Sequence, residues 1–421
     1  MLLFLYNFTW TLFVFLSLPL LLSPKGRRFR ERICAQLPVD PPAHKTLWVH
    51  ALSVGEVISA QPLVQALKRR FPRKEIVFTV TTVQGMEIAR DLVQDDVRYL
   101  LPMPLDFWWS VKRILRFINP SLFLLVETDL WPGLLYSLRK RGIDSMMVNG
   151  RISPKTHMSY KKFRLLVRPL LNTLGIIMVQ TDIDRQRLLD VGIQGEKVRT
   201  SGNIKFDRDW HPLDSDEFEY WMEILGLEPE QILWVAGSTH PGEESTVLSV
   251  FKSLKDAFPD LRLLIAPRRL ERCEEIYRRS TEMGFNTILR TRLSPPKGEY
   301  EVIILDTIGE LGRIYGLAKI SFVGGSLTPV GGHNILEPAG FGHPVLFGPH
   351  MHNFERMSQL MIEAGGGVCV ANALELSRVL TELLEHPERA AVIGQKARAF
   401  VETHQGALDR ILDHVETRVS L

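Results

Sequence analysis

The feature of this sequence that most limits its fold is an alternation of short apolar runs with amphipathic segments, repeated in two series. The first series has apolar runs at residues 47–52, 75–80, 122–126, 145–148 and 175–179. The second has them at residues 232–236, 261–266, 302–305, 320–323 and 345–347. Segments with helical periodicity separate these runs. Apolar strands that alternate with helices are typical of parallel sheets covered on both faces, so we predict an α/β protein with two Rossmann-like, doubly wound domains.

The break between the two series predicts the domain boundaries. Residues 207–230 are charged and aromatic and contain Pro212 and Pro229, which indicates an interdomain linker with a short helix. We assign residues 23–206 to an N-terminal domain and residues 231–421 to a C-terminal domain. Two such domains facing one another would place the carboxyl ends of their strands around a ligand cleft.

The first 22 residues differ in kind from the rest of the chain. They contain no charged residue, and a helix of that length can cross the hydrocarbon core of a membrane. Lys25 and four arginines between residues 27 and 32 follow, which favours a cytoplasmic location for the domains behind them. We predict a retained membrane anchor over residues 1–22, either spanning or embedded in one leaflet. A cleaved signal peptide is the alternative, but the charges follow the apolar run and no small-residue cleavage site is evident.

Composition excludes several classes of protein. A net charge of +3 is too small to indicate a nucleic-acid-binding surface. Cys34, Cys273 and Cys369 are far apart and match no zinc spacing, so we expect no metal and a reducing compartment. His350 and His352 have the alternating spacing of two metal ligands on a strand, but no third ligand lies nearby in the sequence, which argues against a metal site. No G-x-G-x-x-G motif follows the first strand of either half, which argues against a dehydrogenase.

A glycine-rich run at residues 320–350 is the strongest indication of a ligand site. Paired glycines after an apolar strand place backbone N–H groups at a helix start, where a phosphate is stabilised. We expect Gly331 and Gly332 to let a ligand approach the backbone. Asn334 and Glu337 are three residues apart, so both can face one ligand, with Glu337 suited to a ribose diol. The alternative is a tight loop in which Asn334 caps the helix.

Polar residues also follow predicted strands of the first half. Glu56 begins a helix after the first strand, where a carboxylate can equally well complement the helix dipole. Glu127 and Asp129 follow residues 122–126, although Asp129 can serve as a helix cap. Cationic and amide groups that suit a carboxylate or phosphate follow two later strands in the segments Asn149-Gly150-Arg151 and Gly202-Asn203-Ile204-Lys205.

In the second half, Arg268 directly follows the predicted strand 261–266, where a planar guanidinium can form paired bonds to a phosphate. Arg269 and Arg272 are more typical of solvated helix charges. The segment Gly237-Ser238-Thr239-His240, followed by Glu243 and Glu244, has a helix-capping pattern. The loop DTIGEL at residues 306–311 follows another strand.

Together these segments resemble the Kdo (3-deoxy-D-manno-octulosonic acid) transferases of lipopolysaccharide synthesis. The likeness rests on HALSVGEV at 50–57, ETDLWP at 127–132, GNIKFD at 202–207, APRR at 266–269, DTIGEL at 306–311 and the run 324–338. The resemblance implies a GT-B glycosyltransferase that moves Kdo from CMP-Kdo to a lipid A precursor, with inversion, without a metal or cofactor, at the cytoplasmic face of the bacterial inner membrane. One departure is Arg269, where the family often has His.

The resemblance also implies roles for individual residues. Glu56 takes the position of the catalytic base, and Glu127 and Lys205 take positions of transition-state support. The positions that contact CMP correspond to Pro267, Arg268, Ile308, Gly309, Glu310, Asn334, Ile335, Leu336 and Glu337. We expect the helix dipole to keep Glu56 ionised near neutral pH.

Apolar and basic residues between 100 and 117, among them Trp108, Trp109 and Lys112, suit contact with a lipid acceptor, although core packing of the two tryptophans is an alternative. Two other functions remain open. One is a GT-B transferase or epimerase that uses a UDP- or GDP-sugar, and the other is a non-catalytic, membrane-tethered nucleotide-binding protein.

Overall fold

The chain forms two α/β units, each built around a seven-stranded sheet. We describe it from a computed structural model, in which residues 2–17, 26–207, 213–293 and 300–419 are described. The first unit comprises Met1–Arg208 and His404–Leu421, and the second comprises Asp209–Thr403. The two doubly wound domains predicted from the sequence are confirmed.

The first sheet is entirely parallel, with strand order β3-β2-β1-β4-β5-β6-β7. Its strands are β1 Thr46–Ala51, β2 Ile76–Val80, β3 Tyr99–Pro102, β4 Pro120–Val126, β5 Asp144–Gly150, β6 Ile176–Val179 and β7 Val198–Thr200. Every residue of β1 and β2 is buried, because helices cover both faces of the sheet. The strand order reverses between β1 and β4, which is the position where doubly wound sheets bind ligands.

The second sheet is also parallel, with strand order β10-β11-β9-β8-β12-β13-β14. Its strands are β8 Ile232–Thr239, β9 Leu261–Pro267, β10 Thr287–Leu289, β11 Val302–Ile304, β12 Ile320–Val323, β13 Val345–Phe347 and β14 Gly367–Cys369. Here the order reverses between β8 and β12, so the loops after these two strands lie side by side.

The α-helices of the first unit are α1 Leu2–Leu16, α2 Arg27–Arg32, α3 Val54–Arg70, α4 Val83–Val93, α5 Trp108–Ile118, α6 Pro132–Lys140, α7 Pro154–Lys162, α8 Arg164–Leu171, α9 Asp182–Val191 and α18 Ala407–Val419. Those of the second unit are α10 Ser215–Leu225, α11 Glu243–Lys255, α12 Cys273–Glu282, α13 Leu311–Ile314, α14 Leu336–Gly340, α15 Glu355–Glu363, α16 Ala373–Glu385 and α17 Pro387–His404, whose last residue is grouped with the first unit.

Helix α1 packs on the first unit through one side. Trp10 and Val14 contact a small apolar cluster formed by Ile33, Leu105 and Phe107. Among the described residues, no helix is both long and apolar enough to cross a membrane. The predicted anchor extended to residue 22, and residues 18–22 lie outside the described part of the chain. The anchor therefore stays a prediction.

Helix α18 belongs to the first unit, which differs from the predicted assignment of residues 231–421 to the second domain. Ile411 and Val415 are fully buried in the core of the first unit. Asp207 accepts hydrogen bonds from the backbone N–H groups of Gly406, at 2.6 Å, and Leu408. Arg410 donates to the carbonyl of Ser201 at 2.8 Å. The burial of its apolar side chains and the cap that Asp207 provides at its N-terminus thus hold this helix on the first unit.

Candidate active site

Glu56 lies in the first turn of α3, just past the end of β1. Its side chain is buried, with 8% of its surface exposed, and one carboxylate oxygen accepts a hydrogen bond from the backbone N–H of Leu52. The pKa of Glu56 is raised from 4.5 to about 8, mainly by burial. The nearby carboxylates of Glu127 and Asp129 add to this rise, whereas the hydrogen bond from Leu52 opposes it. The expectation that the helix dipole keeps Glu56 ionised near neutral pH is therefore wrong, because desolvation of the carboxylate has the larger effect.

His50 and Asp129 extend this group of side chains. His50 is fully buried in β1, and its Nδ1 lies 2.9 Å from the carbonyl oxygen of Thr79. Because a carbonyl can only accept, Nδ1 carries the proton and Nε2 faces the Asp129 carboxylate at 3.4 Å. Asp129 also accepts a hydrogen bond of 2.8 Å from the indole of Trp131. Asp129 therefore lies between His50 and Trp131, and its charge reaches Glu56.

Glu127 and Asn149 end the neighbouring strands β4 and β5 in the left-handed backbone region, with φ angles of 60° and 56°. Non-glycine residues rarely adopt this conformation, and it concentrates at functional sites. Burial raises the pKa of the Glu127 carboxyl, while the charges of Lys205 and Arg151 lower it. The three predicted catalytic residues thus lie in one unit, with Glu127 electrostatically coupled to both Glu56 and Lys205.

A chain of amide side chains supports the loop that carries Lys205. Gln180 donates to the carbonyl of Asn149 at 3.1 Å, and its Oε1 lies 3.3 Å from Nδ2 of Asn203. Asn203 in turn accepts a 3.0 Å bond from the backbone N–H of Lys205. Asn149 is fully buried, and its Nδ2 has no hydrogen-bond partner among the described residues. An unpaired buried donor is costly and is uncommon in folded proteins.

In the second unit, the glycine loop after β12 is held by the buried carboxylate of Glu243. This carboxylate accepts bonds from the backbone N–H groups of Gly325, Ser326 and Leu327 at 2.7, 2.9 and 2.8 Å. A fourth bond of 2.9 Å comes from the N–H of His240. The predicted helix-capping pattern is wrong, because α11 begins after Gly242 and has no side-chain cap hydrogen bond. The prediction that these loop amides bind phosphate is wrong, because Glu243 already occupies them.

The second glycine pair serves close packing within the unit. Gly331 and Gly332 have φ angles of 114° and 75°, and their N–H groups donate to the carbonyl of Gly325 at 3.1 and 2.7 Å. A Cβ at Gly331 would meet Asn353 at 2.3 Å, and one at Gly332 would meet Met351 at 2.2 Å. The space predicted for a ligand at these glycines is therefore filled by the protein's own side chains.

His240 and His333 form a stacked pair where the loops after β8 and β12 meet. Their Nε2 atoms are 2.8 Å apart, so one donates and the other accepts, and their rings are nearly parallel at 11°. Burial, the charge of Arg268 and the neighbouring His240 lower the pKa of His333 to about 4. His333 is therefore neutral at physiological pH, and the exposed Arg268 supplies positive charge next to it.

The remaining predicted nucleotide contacts fall into two groups. Asn334 and Glu337 are partly exposed and 3.2 Å apart, as the spacing predicts, and Asn334 also accepts a bond from the N–H of Leu336. Ile335 and Leu336 are fully buried, so only their backbone can reach a ligand.

The loop after β11 is exposed at Ile308 and is held in place by contacts of Glu310. Ile308 is 86% exposed, and Gly309 beside it has a φ angle of 91°. Glu310 forms an ion pair with Arg290 at 3.0 Å and accepts a hydrogen bond of 2.6 Å from the hydroxyl of Thr307. Pro267 is buried at the end of β9, directly before Arg268. These residues and the pair Asn334 and Glu337 all lie in the second unit, and their contacts with a nucleotide stay a prediction.

Comparison with known proteins identifies the family. Residues 27–208 match the family described as 3-deoxy-D-manno-octulosonic-acid transferase (Kdo transferase). The 3-deoxy-D-manno-octulosonic acid transferase of Haemophilus influenzae is 33% identical over 401 residues, which cover 93% of this chain and 92% of that protein. This chain belongs to the Kdo transferase family. It is therefore a glycosyltransferase, and the Aquifex aeolicus family member is 30% identical over 80% of this chain and 86% of its own length.

Solved structures confirm the predicted GT-B fold class. A UDP-GlcNAc 2-epimerase from Neisseria meningitidis covers 89% of this chain and 100% of its own, with a TM-score of 0.61 and 14% identity. A glycosyltransferase from Rickettsia africae covers 90% of this chain and 99% of its own, with a TM-score of 0.57 and 14% identity. At such identities the likeness shows the fold alone.

Several residues of the site were not singled out from the sequence. Glu243 was interpreted only as a helix cap, and the pairing of His240 with His333 joins residues 93 positions apart. The adjacency of β8 and β12 brings them together, and nothing in the local sequence indicates it. Among the described residues, no three His, Cys, Asp or Glu side chains are grouped as a metal site would require.

Proposed function

We propose that this chain transfers Kdo from CMP-Kdo to a hydroxyl of a lipid A precursor and releases CMP, with inversion at the anomeric carbon. The observation that carries the proposal is the environment of Glu56. A buried carboxylate whose pKa is about 8 binds a proton more strongly than an exposed one, and it lies at the carboxyl end of a central strand. Membership of the Kdo transferase family supports the donor and acceptor.

In the proposed reaction, Glu56 removes the proton from the acceptor hydroxyl as its oxygen attacks the anomeric carbon of Kdo. The bond between that carbon and the phosphate oxygen breaks, and its electron pair leaves with CMP. Lys205, beside Glu127, is suited to offset developing negative charge in the first unit. Arg268 has the same role for the phosphate in the second unit. These fixed cations support a reaction that needs no metal.

We also propose that the first unit contacts the membrane at the cytoplasmic face, where a lipid acceptor resides. Helix α6 packs against α1, α5 and α8, and these three helices expose large apolar side chains, including Phe15, Trp108 and Leu165 at 67%, 49% and 82%. A surface pocket of about 410 Å³ between α1, α5 and α6 is lined by residues that include Trp108 and Lys112. Apolar side chains next to cations are typical of surfaces that bind anionic lipid.

The decisive experiment supplies purified protein with CMP-Kdo, generated in situ, and a lipid A precursor, and determines the products by mass spectrometry. We expect a mass increase of the acceptor by Kdo, unaffected by EDTA. Glu56→Gln should reduce the rate by about 100-fold or more, the contribution of a general base. The exposed Glu87→Gln on the adjacent helix is the matched control. Transfer at the wild-type rate by Glu56→Gln would remove Glu56 from this role.

A UDP- or GDP-sugar donor is the alternative reaction, because a solved structure of the same fold is an epimerase bound to UDP-GlcNAc. The same assay with those donors in place of CMP-Kdo distinguishes the two. A product formed only from a UDP- or GDP-sugar would replace the proposed function.

A further inference from the structure

Two arginines of the short helix α2 lie at the carboxyl edge of the first sheet. Arg28 donates a hydrogen bond to the carbonyl of Thr81, directly beyond β2. Arg32 donates a hydrogen bond of 2.9 Å to the carbonyl of Met103, directly beyond β3. Both side chains are partly buried. From the sequence they were interpreted only as part of a basic cluster flanking a membrane anchor.

The positive charge of this pair is not neutralised by the described part of the chain. Neither Arg28 nor Arg32 forms an ion pair with any described residue. Burial and the neighbouring charge of Arg28 lower the pKa of Arg32, which Asp129 only partly opposes. Arg27 on the same helix is different, because it is 83% exposed and pairs with Glu31 at 3.0 Å. Two partly buried guanidinium groups that repel each other carry an electrostatic cost, and a bound anion would offset it.

The pair adjoins the group of side chains around the proposed base. The guanidinium carbon of Arg32 lies 5.9 Å from the ring centre of Trp131. Trp131 donates to Asp129 at 2.8 Å, and Asp129 lies 3.4 Å from His50. The charge of Asp129 also raises the pKa of Glu56. An anion bound at Arg32 is therefore close to the residues expected to receive the acceptor.

We propose that Arg28 and Arg32 form a binding subsite for a phosphate group carried by the acceptor sugar. This inference rests on the proposed function and adds to it the two residues that hold the acceptor beside its attacking hydroxyl. A phosphate dianion can offset both guanidinium charges, and the planar fork of arginine matches its oxygens. In this arrangement the bound phosphate positions the acceptor hydroxyl for Glu56.

The test compares an acceptor that retains its phosphate with the same acceptor after phosphatase treatment, using wild-type protein and Arg28→Gln. For wild type, removal of the phosphate should lower kcat/KM for the acceptor by about tenfold or more, the value of a lost charge-assisted contact. Arg28→Gln should show the same loss with the phosphorylated acceptor and no further loss with the treated one, while the KM of CMP-Kdo is unchanged. Arg28→Lys, which retains the charge, should fall between the two.

Inorganic phosphate distinguishes a free anion from the acceptor's own group. It should inhibit wild type competitively with the acceptor and inhibit Arg28→Gln much less. Arg27→Gln, from the exposed ion pair on the same helix, is the matched control and should behave as wild type. An equal loss by Arg28→Gln with both acceptors, a change confined to the KM of CMP-Kdo, or unaltered phosphate inhibition would overturn the proposal. Absence of transfer by wild type would instead contradict the proposed function.

Discussion

At the scale of single residues, burial raises the pKa of Glu56 even though this carboxylate lies in the first turn of a helix. A dipole contributes up to about 2 kcal/mol in favour of the anion, whereas desolvation of a buried carboxylate shifts its pKa by several units. The pKa of about 8 means that only about a tenth of the molecules hold Glu56 ionised at pH 7. The base is scarce at that pH, but each ionised base is stronger.

The pKa of Glu56 predicts the pH dependence of transfer. Because only the ionised carboxylate can accept a proton, kcat/KM for the acceptor should rise from about pH 6 to about pH 9 with a midpoint near 8. Initial rates in buffers of constant ionic strength measure this profile, with Glu56→Gln giving a low and pH-independent rate. A wild-type rate that is constant or falls over this range would contradict the assignment.

The raised pKa of Glu56 also makes the free energy of unfolding depend on pH. The folded state binds a proton at Glu56 more tightly than the unfolded state, since the pKa is raised from 4.5 to about 8. This group therefore destabilises the fold progressively as pH rises through that window. Catalysis needs the ionised carboxylate, whereas the folded state is more stable when Glu56 is protonated.

At the scale of elements, the long buried strands could be predicted from sequence and the short edge strands could not. β4 has five consecutive fully buried apolar residues, Leu122 to Val126, and such runs are distinctive. β3, β10 and β14 have three or four residues each and were missed. β7 was implied only by the polar segment that follows it and was given no bounds. Their pairing depends on the neighbouring strand more than on their own residues.

The attachment of α18 is the element whose energetics can be tested most directly. Asp207→Ala removes the acceptor of the Gly406 and Leu408 N–H groups, and loss of such a cap costs about 0.5–2 kcal/mol. We expect a lower unfolding temperature in calorimetry. Asp413→Ala, an exposed position on the same helix, is the control and should leave the unfolding temperature close to that of wild type. Equal unfolding temperatures for Asp207→Ala and wild type would show that α18 does not depend on this cap.

At the scale of the whole molecule, nucleotide choice can be measured on the intact chain. CMP should raise the unfolding temperature of wild type more than UDP does at equal concentration, because a ligand that binds only the folded state stabilises it. Arg268→Gln should reduce the shift caused by CMP, whereas Arg269→Gln, its exposed neighbour, should retain it. A larger shift with UDP, or equal effects of both substitutions, would contradict the predicted donor site.

The extent of sequence-based prediction differs between fold and site. The two parallel sheets follow from apolar runs. Glu56, Glu127 and Lys205 were noted because they follow such runs, but their predicted roles came from the resemblance to Kdo transferases. Contacts between loops of adjacent strands were not accessible, because they depend on strand order. For that reason the carboxylate of Glu243 in the glycine loop and the placement of Arg28 and Arg32 emerge only from the structure.

The return of α18 to the first unit makes the second unit an insertion within the first. Residues beyond 404 are synthesised last. Until they emerge from the ribosome, the surface of the first unit near Asp207 cannot be covered by α18. The second unit, contiguous over residues 209–403, can complete its own core earlier. A fragment ending at residue 206 would therefore lack part of its own hydrophobic core, while residues 209–403 are the better choice for expression as an isolated domain.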